Sequence, residues 1–161
     1  MIRMAELSRS ARKFQRYLEQ QQLPLEVIEL PASTRSAADA AAALDCDQAQ
    51  IVKSMVFRAI GSDAPVVVLA SGTNRVDEST IAEALGERID KPDAKFVKQR
   101  TGFSIGGVAP IGHREPCVVF VDHDLLKHDI LWAAAGTPHA VFRVDRPITD
   151  ILGEHLMVSF G

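Results

Sequence analysis

Ile51-Val52-Lys53-Ser54-Met55-Val56-Phe57-Arg58-Ala59-Ile60, Gly61-Ser62-Asp63-Ala64-Pro65 and Val66-Val67-Val68-Leu69-Ala70-Ser71 follow one another without a break. The first block is rich in β-branched and aromatic residues, and the third is an almost unbroken apolar run. The middle block is turn chemistry, so the stretch predicts a β-hairpin closed by a five-residue loop. Upstream, Leu7, Ala11, Phe14 and Leu18 recur at helical spacing, predicting an amphipathic helix over 8–21 that stops before Leu23-Pro24. Leu25 to Leu30 alternates like a strand, which Pro31 ends. Ser36 is placed to cap an alanine-rich helix reaching Leu44, with Asp39 in its first turn.

Downstream, Asp77 or Ser79 caps a short helix that Gly86 closes. Pro92 suits the first position of a helix ending near Thr101, with Gly102 as its stop. Strands are predicted over 117–122, 130–134 and 140–144, then a short helix opened by Pro147 and a candidate strand over 156–160. Helices and strand pairs interleave without a regular βαβ alternation. A mixed sheet with helices packed on it is therefore expected, rather than a doubly wound one.

The chain has 161 residues, 47% of them apolar and 24% charged, with no repeat or linker. One domain spanning residues 1–161 is expected, large enough to bury roughly two thirds of its unfolded surface without disulfide or metal staples. The composition excludes disorder, collagen and coiled coil. No apolar run reaches the length of a membrane helix, and charges interrupt the N-terminus where a signal peptide would be apolar. Cys46 and Cys117 make no framework, so a cytoplasmic protein is expected.

The net charge of −3 argues against coating nucleic acid by charge alone, and neither DNA nor membrane is an expected partner. Positive charge is nevertheless clustered, at Arg3, Arg9, Arg12, Lys13 and Arg16 and again at Arg88, Lys91, Lys95, Lys98 and Arg100. Each cluster reads either as a solvated helix face or as a nucleic-acid contact.

Chemistry concentrates in three places. Gly102, Gly106, Gly107 and Gly112 put four of the chain's ten glycines into eleven residues, with Pro110 among them. Such a loop is either a wall of backbone groups that grips a ligand or a tight connection between helix and strand. It matches neither nucleotide-binding glycine pattern. Lys53 falls on the same strand face as Ile51, Met55, Phe57 and Ala59, opposite Ser54 and Arg58. Its ammonium must reach a partner or cleft, or else snorkel from a buried stem. Loop and lysine together point to an anionic ligand such as a phosphate. Asp122-His123-Asp124 and His128-Asp129 offer potential metal ligands, but the spacing fits no known site and reads as a turn after a strand. No metal or cofactor is expected. Cys117 reads as a packed thiol.

Gln50-Ile51-Val52-Lys53-Ser54-Met55-Val56-Phe57, Thr101-Gly102-Phe103 and Gly106-Gly107-Val108-Ala109-Pro110-Ile111-Gly112 resemble the YbaK family, which shares its fold with the editing domain of bacterial prolyl-tRNA synthetases. Ser71-Gly72-Thr73-Asn74-Arg75-Val76-Asp77 falls between the blocks in the same order, and the resemblance covers roughly residues 25–145. It implies an α+β fold with a mixed, partly curled sheet and flanking helices. It also implies a free-standing trans-editing enzyme that hydrolyses the ester joining a wrong amino acid to tRNA, most often tRNA for proline. Prolyl-tRNA synthetase is then a second expected partner.

By the same resemblance Lys53 lies in the active site near the terminal adenosine and its phosphate. Gly106 opens the G-x-x-x-P loop that positions the aminoacyl group, and Gly102, Gly107, Pro110, Ala134 and Gly136 contribute to substrate binding. Arg12, Arg16, Lys95, Lys98 and Arg100 are candidates for the acceptor stem.

Two departures bear on the amino acid removed. Ala134-Ala135-Gly136 stands where cysteine-specific members carry Ser-Ala-Gly, and Glu29-Leu30-Pro31 where alanine-directed members have His-Pro. A small pocket for alanine, serine, threonine or a similar residue stays open. The competing readings are a binding module that keeps the fold without the chemistry, and a metal hydrolase built on Asp122, His123 and His128.

Overall fold

The computed structural model of the chain describes residues 7–30 and 36–160; Arg3 and the strand-ending Pro31 lie outside the described residues. Helix α1 (Arg9–Gln20) buries the predicted stripe of Ala11, Phe14 and Leu18, and the Ser8 hydroxyl caps it by accepting from the Ala11 N–H. Strand β1 (Val27–Glu29) and helix α2 (Ala37–Leu44) follow, the latter capped by Ser36 as expected. The hairpin is β2 (Val52–Ala59) and β3 (Pro65–Ser71), with Arg58 facing Pro65 across its mouth.

Helix α3 (Glu78–Leu85) takes Asp77 as its cap and stops at Gly86, whose φ is +82°. A two-residue strand, β4 (Ile89–Asp90), was not legible in the sequence. Helix α4 (Ala94–Thr101) starts later than Pro92, because the Asp93 carboxylate accepts from the Phe96 N–H and sets the cap there. Strands β5 (Val118–Asp122), β6 (Leu131–Ala134), β7 (Ala140–Val144) and β8 (Leu156–Val158) complete the chain.

The architecture is α+β and the strands form two sheets. One is antiparallel with order β1-β7-β6; the other is mixed with order β4-β2-β3-β5-β8. An isolated bridge between Ile51 and Trp132 joins them. The central strand is β3, fully buried from Val66 to Ala70, and not the lysine-bearing β2. Alternate β3 residues feed two cores. Val67 and Leu69 pack with Phe14, Leu18 and Phe142 between the sheets, while Val66 and Val68 pack with Phe57, Phe120 and Ile81 on the outer face. Val52 and Val56 also face the inner core, so the strand face that looked the more polar in sequence is the one turned toward the second sheet. The feature that positions the site is an edge. β4 pairs only with Arg58 and Ala59, leaving β2 without a neighbour on that side over Val52–Phe57.

Candidate functional site

A cleft of about 200 Å³ opens along this free edge of β2. Val52, Lys53 and Ser54 form one wall, Trp132, Ala133 and Ala134 of β6 another. Gly106 and Val108 of the glycine-rich loop, with Thr137 and Pro138 of the β6–β7 turn, close it, and Ala37 and Ala40 of α2 approach from the open side. Three of the residues singled out in the sequence, Lys53, Gly106 and Ala134, therefore meet in one cavity.

Lys53 is anchored through the loop after β3. Its Nζ donates to the Asn74 carbonyl, and the Asn74 amide donates to Asp122 Oδ2 at 2.7 Å and to Asp124 Oδ2 at 2.8 Å. Asp122 is fully buried and also accepts from the Ser71 and Asp124 N–H groups. Burial pushes the Lys53 ammonium below its ordinary pKa, and the Asp122 charge offsets part of that shift. Asp122 and Asp124 are thus spent on organising a loop, Asp124 pairing in addition with Lys127 at 2.7 Å. Among the described residues no group of three or more His, Cys, Asp or Glu side chains gathers around a possible metal position. Gly72 makes the loop's closest approach: a Cβ there would stand 2.4 Å from the Gln48 carbonyl oxygen.

The glycine-rich loop divides its labour. Thr101 is buried, donates to the Val97 carbonyl and accepts from the Phe103 N–H, while Gly102 ends α4 with φ +86°. The Thr-Gly-Phe block is a helix stop. Gly106 is exposed with φ +91°, and its N–H has no hydrogen-bond acceptor among the described residues. Gly107 is committed: its N–H donates to Ser104 and its carbonyl accepts from Gly136 at 3.0 Å. A Cβ on Gly107 would lie 2.8 Å from the Thr137 backbone. Pro110 is buried behind the cleft rather than lining it. His113 Nε2 lies 2.8 Å from the Ala109 carbonyl and donates to it, which ties the loop; burial holds this imidazole below its ordinary pKa, and the bond to Ala109 offsets part of that shift.

Gly102 and Gly136 do not reach the Lys53 cleft. They line a second cavity behind the loop, together with Lys98. Of the other basic candidates, Arg16 and Lys95 are exposed and Arg12 is half-buried. Arg100 is engaged with Glu115 at 2.7 Å and Asp63 at 3.3 Å, which spends its charge on the protein itself.

Ser54 escaped the sequence reading. Its Oγ is the one buried side-chain polar atom without a hydrogen-bond partner among the described residues. The signal was present as a hydroxyl set between Val52 and Val56 in a period-two apolar row. An orphaned buried hydroxyl costs about 1–3 kcal/mol, so Ser54→Ala is expected to unfold at a higher temperature than the parent chain. A lower melting temperature would mean that Oγ finds a partner in solution. Trp132 and Thr137 were also missed, because only the pairing of β6 with β7 carries them to the cleft.

The family model of the aminoacyl-tRNA editing domain matches residues 31–150. A crystal structure of a candidate trans-editing enzyme for prolyl tRNA synthetase superimposes with a TM-score of 0.86 at 39% identity, over 96% of this chain and 99% of that one. The uncharacterized protein YwhH of Bacillus subtilis (strain 168) is 25% identical over 119 residues, 74% of this chain and 75% of that protein. A proline–tRNA ligase of Limosilactobacillus fermentum (strain NBRC 3956 / LMG 18251) is 34% identical over 91 residues, 54% of this chain but only 16% of the ligase.

Proposed function

The chain belongs to the aminoacyl-tRNA editing domain family, and from that premise we propose that it is a trans-editing hydrolase in which residues 1–161 form one editing domain. In this reading it works in the cytoplasm on tRNA for proline carrying a small wrong amino acid, downstream of prolyl-tRNA synthetase. The observation that carries the proposal is the meeting of Lys53 and Gly106 in one small cleft.

The chemistry asks for little beyond orientation. An aminoacyl ester is already activated, so holding it against a water supplies much of the rate. Lys53 binds the phosphate of the terminal adenosine. The uncommitted Gly106 N–H donates to the carbonyl oxygen as negative charge develops on it. Water attacks the carbonyl carbon, the bond to the ribose oxygen breaks, and the free amino acid and the tRNA 3′-end leave. The ribose 2′-hydroxyl or a bound water carries the proton from the attacking water to the departing ribose oxygen. Ala134 presents a methyl group to the cleft where cysteine-specific members carry a hydroxyl, in keeping with a small side chain.

The test is release of labelled amino acid from proline tRNA charged with Ala, Cys, Ser, Thr or Pro. Hydrolysis of one or two mischarged species with Pro spared is expected. Retained tRNA binding with no release from any species would overturn the proposal in favour of a binding module, and inhibition by a chelator would overturn the metal-free mechanism.

A further inference from the structure

The second cavity, about 270 Å³ in volume, lies behind the glycine-rich loop between α1 and α4. Lys13 from α1, Lys98 from α4 and Arg114 converge on it, all three exposed. None has a carboxylate partner among the described residues, on a chain whose net charge is −3. The half-buried rings of Tyr17 and Phe103 line the same cavity. Gly112, at φ +80°, allows the Tyr17 ring to lie against the loop, since a Cβ there would stand 3.2 Å from the ring. Cations around aromatic faces in a concave site suit an unstacked nucleotide, whose phosphates meet the charges while its base stacks on a ring.

The position of the cavity points the same way. Its partition from the Lys53 cleft is the contact between Gly107 and the Gly136-Thr137 backbone, so the two cavities lie back to back across that contact. We propose that this cavity is a nucleotide subsite for the single-stranded 3′-end of the acceptor RNA, with Lys13, Lys98 and Arg114 on its phosphates and Tyr17 or Phe103 against a base. The inference rests on the editing reading only for the identity of the RNA. It draws Lys13 and Lys98 from the two charge clusters of the sequence and leaves out Arg100, whose charge is engaged by Glu115 and Asp63.

The test uses uncharged RNA, so that it does not depend on catalysis. A labelled hairpin with an unpaired 3′-end and the same hairpin made blunt are titrated with the full chain, with Lys13→Glu/Arg114→Glu and with Tyr17→Leu. The parent chain is expected to bind the unpaired form about tenfold tighter or more. Both variants should bring that form to the blunt level, and the charge variant should also flatten the salt dependence. Thermal unfolding of the charge variant, whose substitutions are both exposed, checks that its fold is intact. Equal binding of the two hairpins by the parent chain would overturn the proposal, as would variants that weaken both hairpins alike. Failure of the editing reading shows separately, as absence of release from any charged tRNA.

Discussion

Lys53→Ala is expected to deacylate mischarged tRNA about 10²-fold more slowly than the parent chain, the loss that follows when the ester is no longer held in its reactive position by its phosphate. The fold should survive, because Lys53 is only half-buried and its single bond is to the Asn74 carbonyl. The Asn74 amide remains held by Asp122 and Asp124 without it, so the loop after β3 keeps its shape. What disappears is a cation at the junction of the small cleft and the wide groove that runs past Arg75 and Lys91. Single-turnover release from charged tRNA, read beside thermal unfolding, checks this. Near-parental turnover by a folded Lys53→Ala chain would remove Lys53 from the mechanism.

Gly107→Ala should produce a large structural effect at the wall of the cleft. The added Cβ meets the Thr137 N and Cα and the Gly136 carbonyl carbon at 2.8–2.9 Å, all backbone atoms of a turn that cannot rotate away. Overpacking of this kind costs about 1–3 kcal/mol, which for a domain of this size lowers Tm by several degrees. The loop must also leave the β6–β7 turn, so the Gly106 wall of the cleft shifts and editing falls with stability. Gly106→Ala should behave differently. Its Cβ would make only an ordinary contact with Pro138 at 3.6 Å, and its cost is the positive φ, about 1–2 kcal/mol. Most deacylation should be lost there with the fold kept. A Gly106→Ala chain that melts well below the Gly107→Ala chain, or that keeps parental turnover, would contradict this division of roles.

That pair shows how far the residues spoke for themselves. Gly106 and Gly107 are neighbours of one type in one motif, and no local pattern separates them. The separation comes from Thr137 and Pro138, some thirty positions away, which press on one glycine and leave the other open. Thr101-Gly102-Phe103 makes the same point from the other side. It carried the family resemblance, yet in the fold it ends α4 through the Thr101 hydroxyl and a left-handed glycine. The acidic run at Asp122 was legible as a turn that caps itself. That Asp122 also organises the loop holding Lys53 was not, because Ser71 and Asn74 reach it across the β3–β5 register.

The amino-acid sequence by itself determined the α+β class, most of the helices and strands, the cap at Ser36, the choice of Asp77 or Ser79 for the next helix, and the family. Each of these depends on interactions spanning a few residues: side-chain periodicity, a hydroxyl or carboxylate accepting from the next turn, a glycine tolerating positive φ. Only the tertiary structure decided that β3 is central, that β2 keeps a free edge beside β6, and that the glycines named together serve two cavities and the wall between them. The physical reason is that strand partners and crossovers are settled by the burial of whole faces. Burial couples residues fifty to eighty positions apart, such as Lys53 with Gly106 and with Ala134, through no local signal.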